Sequence, residues 1–357
     1  MKMNGALLRV LPAVMLIFAM LAGVAGCAAK NPNEHKAEIF AMDTYITLTA
    51  YGDDRAQEGL DAAVSRIREI EERMSISIEG SDVDLINRNG ALGPVKVHED
   101  TLYVIKKGLS YGELTEGAFD ISIYPLVRLW DITGENPRVP EGDEIHKALE
   151  LVDYRRVRVD EEAGTVFLEK EGMMIDLGGI AKGYAGDEAV RILKEFGVEH
   201  ALVNLGGNIL TVGGKPDGSD WHIGLQNPRA EDGGVRHFAI IDVRDSSVVT
   251  SGDYERYMVD IYKETGVRYH HIFNPRTGYP AESGLISTTI VSESAIDADA
   301  LSTSLFIMGK EKGLPFIGQL GFQAVCVTDE KTVHSTEALQ NNIRITHPDY
   351  KLDNSLP

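Results

Sequence analysis

Asp176-Leu177-Gly178-Gly179-Ile180-Ala181-Lys182-Gly183-Tyr184-Ala185 is the stretch around which the rest of the chain is organised. Met173 to Asp176 reads as the end of an apolar strand with an acidic residue at its tip. Gly178 and Gly179 then supply a tight turn with little side-chain bulk. From Ile180 onward, Ala181, Tyr184, Ala185, Ala189, Ile192, Leu193 and Phe196 recur at helical spacing. A strand, a glycine pair and a helix start make an anion pocket, because free N–H groups and the positive dipole end point outward together. Lys182, in the first turn, is poorly placed for that dipole and is available for another role. Taken alone, an ordinary strand-to-helix turn would read the same way.

Outward from this stretch, strands and helices mix without a βαβ rhythm. Ile39 to Ala50 is rich in β-branched and aromatic residues and reads as a strand. Leu60, Ala63, Val64, Ile67, Ile70 and Met74 mark one face of a helix, which Asp53 or Asp54 caps. Leu102 to Leu114 is a second helical pattern. Val157–Val159 and Val166–Leu168 make a small hairpin leading into the central stretch. Further strands are read at Ala201–Leu205, Trp221–Gln226, Phe238–Val243, Val248–Ser251 and Ser287–Val291, and a helix from Ala295 to Met308. Residues 37–345 contain no repeat at solenoid spacing and no clean linker. The pattern predicts an α+β fold with largely antiparallel sheet.

The 357 residues carry a formal net charge of -20. That excludes broad nucleic-acid binding, which needs a basic face. Any anionic ligand must be held by a local device such as a metal ion, a helix terminus or a few basic residues.

At the N-terminus, Lys2 and Arg9 precede an apolar run from Val10 to Ala25, followed by Gly26 and Cys27. A basic start, an apolar middle and small residues before a cysteine form a bacterial lipoprotein signal. Residues 1–26 are the expected signal, Cys27 the lipidated residue, and 27–36, with Pro32, the tether. The domain follows at 37–345, and 346–357 is a tail. The expected location is the cell membrane, on its extracytoplasmic side. Cys326 is then the one remaining thiol, in a buried strand, and an internal disulfide is excluded.

The common nucleotide motifs are absent. Gly213-Gly214-Lys215-Pro216 lacks the Ser or Thr of a phosphate loop, and no GxGxxG follows a strand. Asp297-Ala298-Asp299-Ala300-Leu301-Ser302-Thr303 is more telling. On a helix, Asp299 and Thr303 share a face, and a carboxylate beside a hydroxyl is a hard oxygen pair that suits Mg²⁺. A solvent-facing Asp with a Thr bonded back to its own helix is the bland alternative. His270 and His271 stand beside Asn274-Pro275-Arg276, a loop able to touch an anion.

Four segments in this order resemble the ApbE family of FAD:protein FMN transferases: Ala41-Met42-Asp43-Thr44, Gly117-Ala118-Phe119-Asp120, Asp176 to Ala185, and Asp299-Ala300-Leu301-Ser302-Thr303. Ser251-Gly252-Asp253-Tyr254-Glu255-Arg256 and His271 to Pro280 add to the likeness, which spans roughly Ile39 to Ile345. The resemblance implies a bilobed, T-fold-like α+β architecture with FAD in a cleft. It places Met42, Ala118, Phe119, Asp120, Asp176 and Lys182 against FAD, with His271 closing the pocket. Mg²⁺ would be held by the Ala181 carbonyl, Asp299 and Thr303, with Asp299 and His271 as candidates for catalysis.

The implied reaction transfers FMN from FAD to a threonine hydroxyl and releases AMP. The implied acceptors are flavoprotein subunits of Nqr- or Rnf-type redox complexes. The alternatives are an FAD pyrophosphatase and a non-catalytic FAD carrier. One departure stands out: Ser77 occupies the place where family members can carry an aromatic residue that stacks on FAD. Serine cannot stack, which predicts weaker FAD retention.

Overall fold

The computed structural model describes residues 33–230, 234–353 and 355. The signal segment, Cys27 and the first part of the tether lie outside them. Period-two alternation builds most of the sheet. In chain order the strands are β1 (Asn33–Ala41), β2 (Thr44–Gly52), β3 (Val95–Lys96), β4 (Val157–Asp160), β5 (Thr165–Leu168), β6 (His200–Leu205), β7 (Asn208–Val212), β8 (Trp221–Gln226) and β9 (His237–Val243). They continue with β10 (Ser247–Gly252), β11 (Leu285–Ser292), β12 (Gln323–Thr328), β13 (Thr332–Ser335), β14 (Ile343–Ile345) and β15 (Lys351–Leu352). The main sheet has nine strands in the order β1-β2-β6-β7-β10-β11-β12-β13-β15. Neighbours from β2 to β13 pair antiparallel. The expected α+β architecture is the one that forms.

Helices α1 (Asp54–Met74), α2 (Asp82–Asn89), α3 (Glu99–Leu114), α4 (Tyr124–Trp130), α5 (Gly142–Leu149), α6 (Ala181–Glu195), α7 (Val259–Thr265) and α8 (Ala295–Met308) carry the rest of the argument. The apolar faces of α1, α6 and α8 cover one side of the main sheet and form the large core with Ile46, Leu48, Val203 and Leu210. On the other side, Trp221, Ile223, Phe238 and Ile241 of a smaller sheet meet Val248, Val325 and Val327. β11 lies between the two layers, and seven of its eight residues are buried. Cys326 is fully buried in β12, as its strand context implied. Among the described residues no helix is long and apolar enough to cross a membrane.

Caps and charges fix the helices. Asp53 caps α1 by accepting the Arg55 N–H at 3.0 Å, one of the two residues expected to do so. Arg66 of α1 reaches Glu188 of α6 at 2.9 Å and Asp100 of α3 at 2.5 Å, tying three helices together.

Four boundaries differ from the sequence reading. Ile39–Ala50 is a hairpin rather than one strand. Met42 and Asp43 sit at φ 53° and 56° and reverse the chain between β1 and β2. Neither is glycine, so the turn carries no composition signal. Met173–Asp176 lies in no sheet. The Asp176 N–H donates to the Ile121 carbonyl at 2.8 Å, while Ile175 is paired by a side chain: Asn87 of α2 accepts its N–H at 2.6 Å and donates to its carbonyl at 2.9 Å. That amide satisfies the backbone as a neighbouring strand would. β1 begins at Asn33, within the expected tether, and Lys351–Leu352 of the expected tail pairs parallel with β13.

Candidate functional site

The glycine turn leads into α6, and α6 lies against α8 at very close range. A Cβ on Gly183 would stand 2.3 Å from the Ala295 carbonyl oxygen, so only glycine admits this approach. The contact lets each helix cap the other. The Gly183 N–H donates to Asp299 Oδ2 at 2.9 Å, which puts the α8 carboxylate on the positive end of α6. In return, Asp187 of α6 accepts the Ala295 and Ile296 N–H groups at 2.8 and 3.0 Å, at the start of α8. Asp299 is 4% exposed and its place is set by this exchange.

Thr303 follows one turn after Asp299. Its Oγ1 is 3.4 Å from Ser251 Oγ, which in turn is 2.9 Å from Ser302 Oγ. The turn comes close from the other side: a Cβ on Gly179 would lie 3.9 Å from Thr303 Oγ1 and 3.2 Å from the Phe119 ring. Asp297, whose direction the sequence left open, points away and pairs with Lys107 at 2.8 Å. The Asp299–Thr303 face therefore looks onto the glycine turn and the end of β10, not onto bulk solvent.

The turn itself is not the open set of donors that the strand–glycine–helix pattern suggested. Gly178 N–H is taken by Asp176 Oδ1 at 2.7 Å, and the Ile180 and Ala181 N–H groups by the Leu177 carbonyl at 3.0 and 2.8 Å. With Gly183 on Asp299, most of its amides are satisfied within the protein. Positive charge in the cleft comes from side chains instead.

Those side chains gather around two hairpin tips. Arg256, in the loop after β10, donates to the Asp43 carbonyl at 3.0 Å and so touches the β1–β2 turn that holds Met42. The β6–β7 turn, Gly206-Gly207, abuts the same place. Gly206 is at φ +60°, and a Cβ on it would stand 1.9 Å from Thr44 Oγ1. Glu255 lies 3.6 Å from the Cβ position of Gly207. Lys182 donates to the Gly178 carbonyl at 3.1 Å. His271 is bound to the Arg256 carbonyl through its backbone N–H at 3.1 Å and its ring Nδ1 at 3.2 Å.

A carbonyl can only accept, so Nδ1 carries the proton and Nε2 keeps its lone pair. Burial, with Arg256, His270 and Lys182 nearby, lowers the His271 pKa to about 3, and the ring is neutral. His270 serves the loop instead. Its Nδ1 accepts the Ile272 N–H and its Nε2 donates to the Ala281 carbonyl, which closes that segment on itself.

Burial also pushes the Asp176 carboxyl up, against Gly178 N–H, Lys182 and Arg256. Glu255 is raised for the same reason and by Asp299, again against Lys182 and Arg256. Three carboxylates, Asp176, Glu255 and Asp299, thus share the cleft with two cations, Lys182 and Arg256. Such a cleft repels a pyrophosphate unless more positive charge arrives. Asp299, Thr303 and the start of α6 offer a carboxylate, a hydroxyl and backbone carbonyls, hard oxygens of the kind Mg²⁺ accepts while keeping waters. Among the described residues no group of three or more His, Cys, Asp and Glu gathers into a metal cage. A cation held this way does not require one.

The remaining expected residues lie on separate elements, and only Phe119 is in contact with the glycine turn. Ala118 and Phe119 are buried, and Phe119 backs the glycine turn and meets Tyr111 edge-on at 6.5 Å. Asp120 turns inward, accepting the Ser122 N–H at 2.8 Å and the Tyr154 N–H at 3.0 Å. Ser77 is exposed in the loop after α1, with its N–H 3.1 Å from Ser75 Oγ. Tyr124 was not singled out from sequence, yet its phenol is pushed up by burial and by the charge of Asp176. Glu255 and Arg256 were also missed as site residues; the segment holding them was noticed only as part of a likeness.

Comparison with known proteins shows the family and the fold. A model of the ApbE family matches residues 42–326. An FAD:protein FMN transferase of Treponema pallidum is 30% identical over 356 residues, covering 95% of this chain and 97% of its own. One of Klebsiella pneumoniae is 35% identical over 294 residues, covering 82% of this chain and 88% of its own. Among solved structures, the ApbE protein of Thermotoga maritima superposes with a TM-score of 0.80 at 36% identity, over 87% of this chain and 100% of that one. The flavin transferase ApbE of Vibrio cholerae gives 0.77 at 26% identity, over 87% and 99%.

Proposed function

This chain belongs to the ApbE family, and from that membership we propose that it transfers the FMN half of FAD to a threonine hydroxyl of a partner protein, releasing AMP. The observation that carries the reading is the union of Asp299, Thr303 and the glycine turn across the α6–α8 contact, beside Lys182 and Arg256. The threonine oxygen forms a bond to the FMN phosphorus while the phosphoanhydride bond breaks, and AMP leaves with the bonding electron pair. Asp299, Thr303 and the Ala181 carbonyl would hold Mg²⁺, which when bound would neutralise phosphate charge. Lys182 and Arg256 hold the pyrophosphate against the turn. Met42, with Ala118 and Phe119, lines the flavin side.

His271 is neutral and fixed by Arg256, so its Nε2 can accept the threonine proton as the hydroxyl attacks. An anionic substrate nearby raises its pKa from the low value that burial and the two cations impose. The acceptors are flavoprotein subunits of Nqr- or Rnf-type complexes, met outside the cytoplasmic membrane by an enzyme anchored through a lipid on Cys27.

The test uses residues 28–357 with FAD, Mg²⁺ and a threonine-containing acceptor domain. Intact mass, in-gel flavin fluorescence and chromatography report the acceptor, free FMN and AMP. An acceptor heavier by one FMN, dependent on Mg²⁺ and on its threonine, is expected, and Asp299→Ala should abolish it in a folded protein. AMP with free FMN and an unmodified acceptor would replace the transferase with a hydrolase. Full activity in Asp299→Ala would remove the metal assignment.

A further inference from the structure

Asn208 is 2% exposed, and its Nδ2 has no hydrogen-bond partner among the described residues. Leaving a buried amide unpaired is destabilising, so such a group calls for a partner that completes it. Its position says what that is. Asn208 opens β7 directly after the Gly206-Gly207 tip, cross-strand from Leu205. Side chains alternate along a strand, so Asn208 shares a face with Leu210. That face is covered by α6: Leu205 and Leu210 come within 3.4 and 2.6 Å of the Cβ position of Gly186. Gly183, whose N–H is on Asp299, is one turn earlier in the same helix.

At its outer end, the tip that Asn208 follows is the one facing Glu255 and Thr44. Asn208 therefore stands at the hairpin-tip end of the main sheet, on the face that α6 covers. The glycine turn that leads into α6 has already given most of its amides to protein acceptors.

We propose that Asn208 is a ligand-binding residue of this cleft, donating its side-chain N–H to a phosphate oxygen of the bound dinucleotide. The assignment rests on the FAD reading given above and adds to it a neutral donor. A neutral donor suits a cleft already crowded with carboxylates, because it binds an anionic oxygen without a further ion to desolvate. It also explains why an amide rather than a leucine occupies an otherwise apolar face.

The experiment compares the full exported chain with Asn208→Leu, Asn208→Ala and Asn208→Asp. Calorimetry gives the ligand-free Tm. Titrations follow FAD by flavin fluorescence and ADP by calorimetry, each with Mg²⁺. Asn208→Leu should match or exceed the wild-type ligand-free Tm, since it removes the unpaired donor at similar volume. It should bind both FAD and ADP at least tenfold more weakly, a change of about 1.4 kcal/mol. Asn208→Ala should show the same affinity loss at a lower Tm, and Asn208→Asp a larger loss through repulsion.

Wild-type affinity in Asn208→Leu and Asn208→Ala, whatever their Tm, would mean that the amide serves the fold alone and would overturn the assignment. Loss for FAD but not for ADP would also overturn it, because the contact would then be to the flavin. Wild-type protein that binds neither probe would overturn the FAD reading, and the assignment with it.

Discussion

Asp187→Asn probes the mutual capping of α6 and α8 through its pH dependence. Burial, with Asp297 nearby, lifts the Asp187 pKa from 3.8 to about 6 despite the two N–H groups it accepts. A carboxyl raised in the folded state keeps its proton there while the unfolded chain loses it. Stability from this group is therefore highest below pH 4, falls as pH rises, and reaches its floor above pH 6. A gap of about two pKa units corresponds to about 3 kcal/mol, of which about 1 kcal/mol lies between pH 5 and 7.

Asparagine does not titrate. It keeps one of the two N–H acceptances and forfeits the other, at a constant cost of about 1 kcal/mol. The variant should thus gain on wild type as pH rises from 5 to 7, by about 1 kcal/mol, most of it below pH 6. Urea unfolding of both proteins at half-unit steps reads the difference, and groups common to the two cancel. A gap that stays constant to within 0.3 kcal/mol over that interval, roughly the limit of the method, would refute the buried ionised cap.

Gly183→Ala should separate the two helices, because its Cβ would meet the Ala295 carbonyl at 2.3 Å. The expected cost is about 1–3 kcal/mol in unfolding, with FMN transfer falling at least tenfold as Asp299 shifts. Asp253 is 8% exposed and bridges Arg229, at 2.7 and 2.8 Å, and Arg268 at 3.3 Å, just before Glu255 and Arg256. Asp253→Asn should cost about 1–3 kcal/mol in chemical unfolding by leaving two half-buried arginines uncompensated, and should weaken FAD binding through the loop. Ser77→Tyr should tighten FAD by about 1–3 kcal/mol in a fluorescence titration; unchanged affinity would place Ser77 away from the flavin.

The α+β class was legible because the strands alternate and the helices carry apolar stripes, both local properties of the chain. Asp299 and Thr303 were legible for the same reason, since i,i+4 spacing is local. What sequence missed was created by distance or by unusual backbone. Met42 and Asp43 reverse the chain in left-handed conformations with no glycine to announce it. Asn87 acts as a strand partner for Ile175 across 88 residues, and no pattern near either residue implies the other. Asp187 and Asp299 lie far apart in sequence, and their exchange of caps exists only once α6 and α8 touch. Glu255 and Arg256 sit in a loop without periodicity. Asn208 follows a glycine pair, and its unmet hydrogen bond is a property of the packed interior.

The reciprocal caps make the start of α6 and the start of α8 one cooperative unit. Neither helix can fray at that end without exposing the other's first amides. Gly183, Ala295 and Ile296 should therefore exchange their amide hydrogens together, at the rate of a shared opening rather than three local ones. The oxygens of Asp299 and Thr303 are then in place whenever the two helices are docked and scattered whenever they are not, so no partly frayed form of the protein retains half of the site.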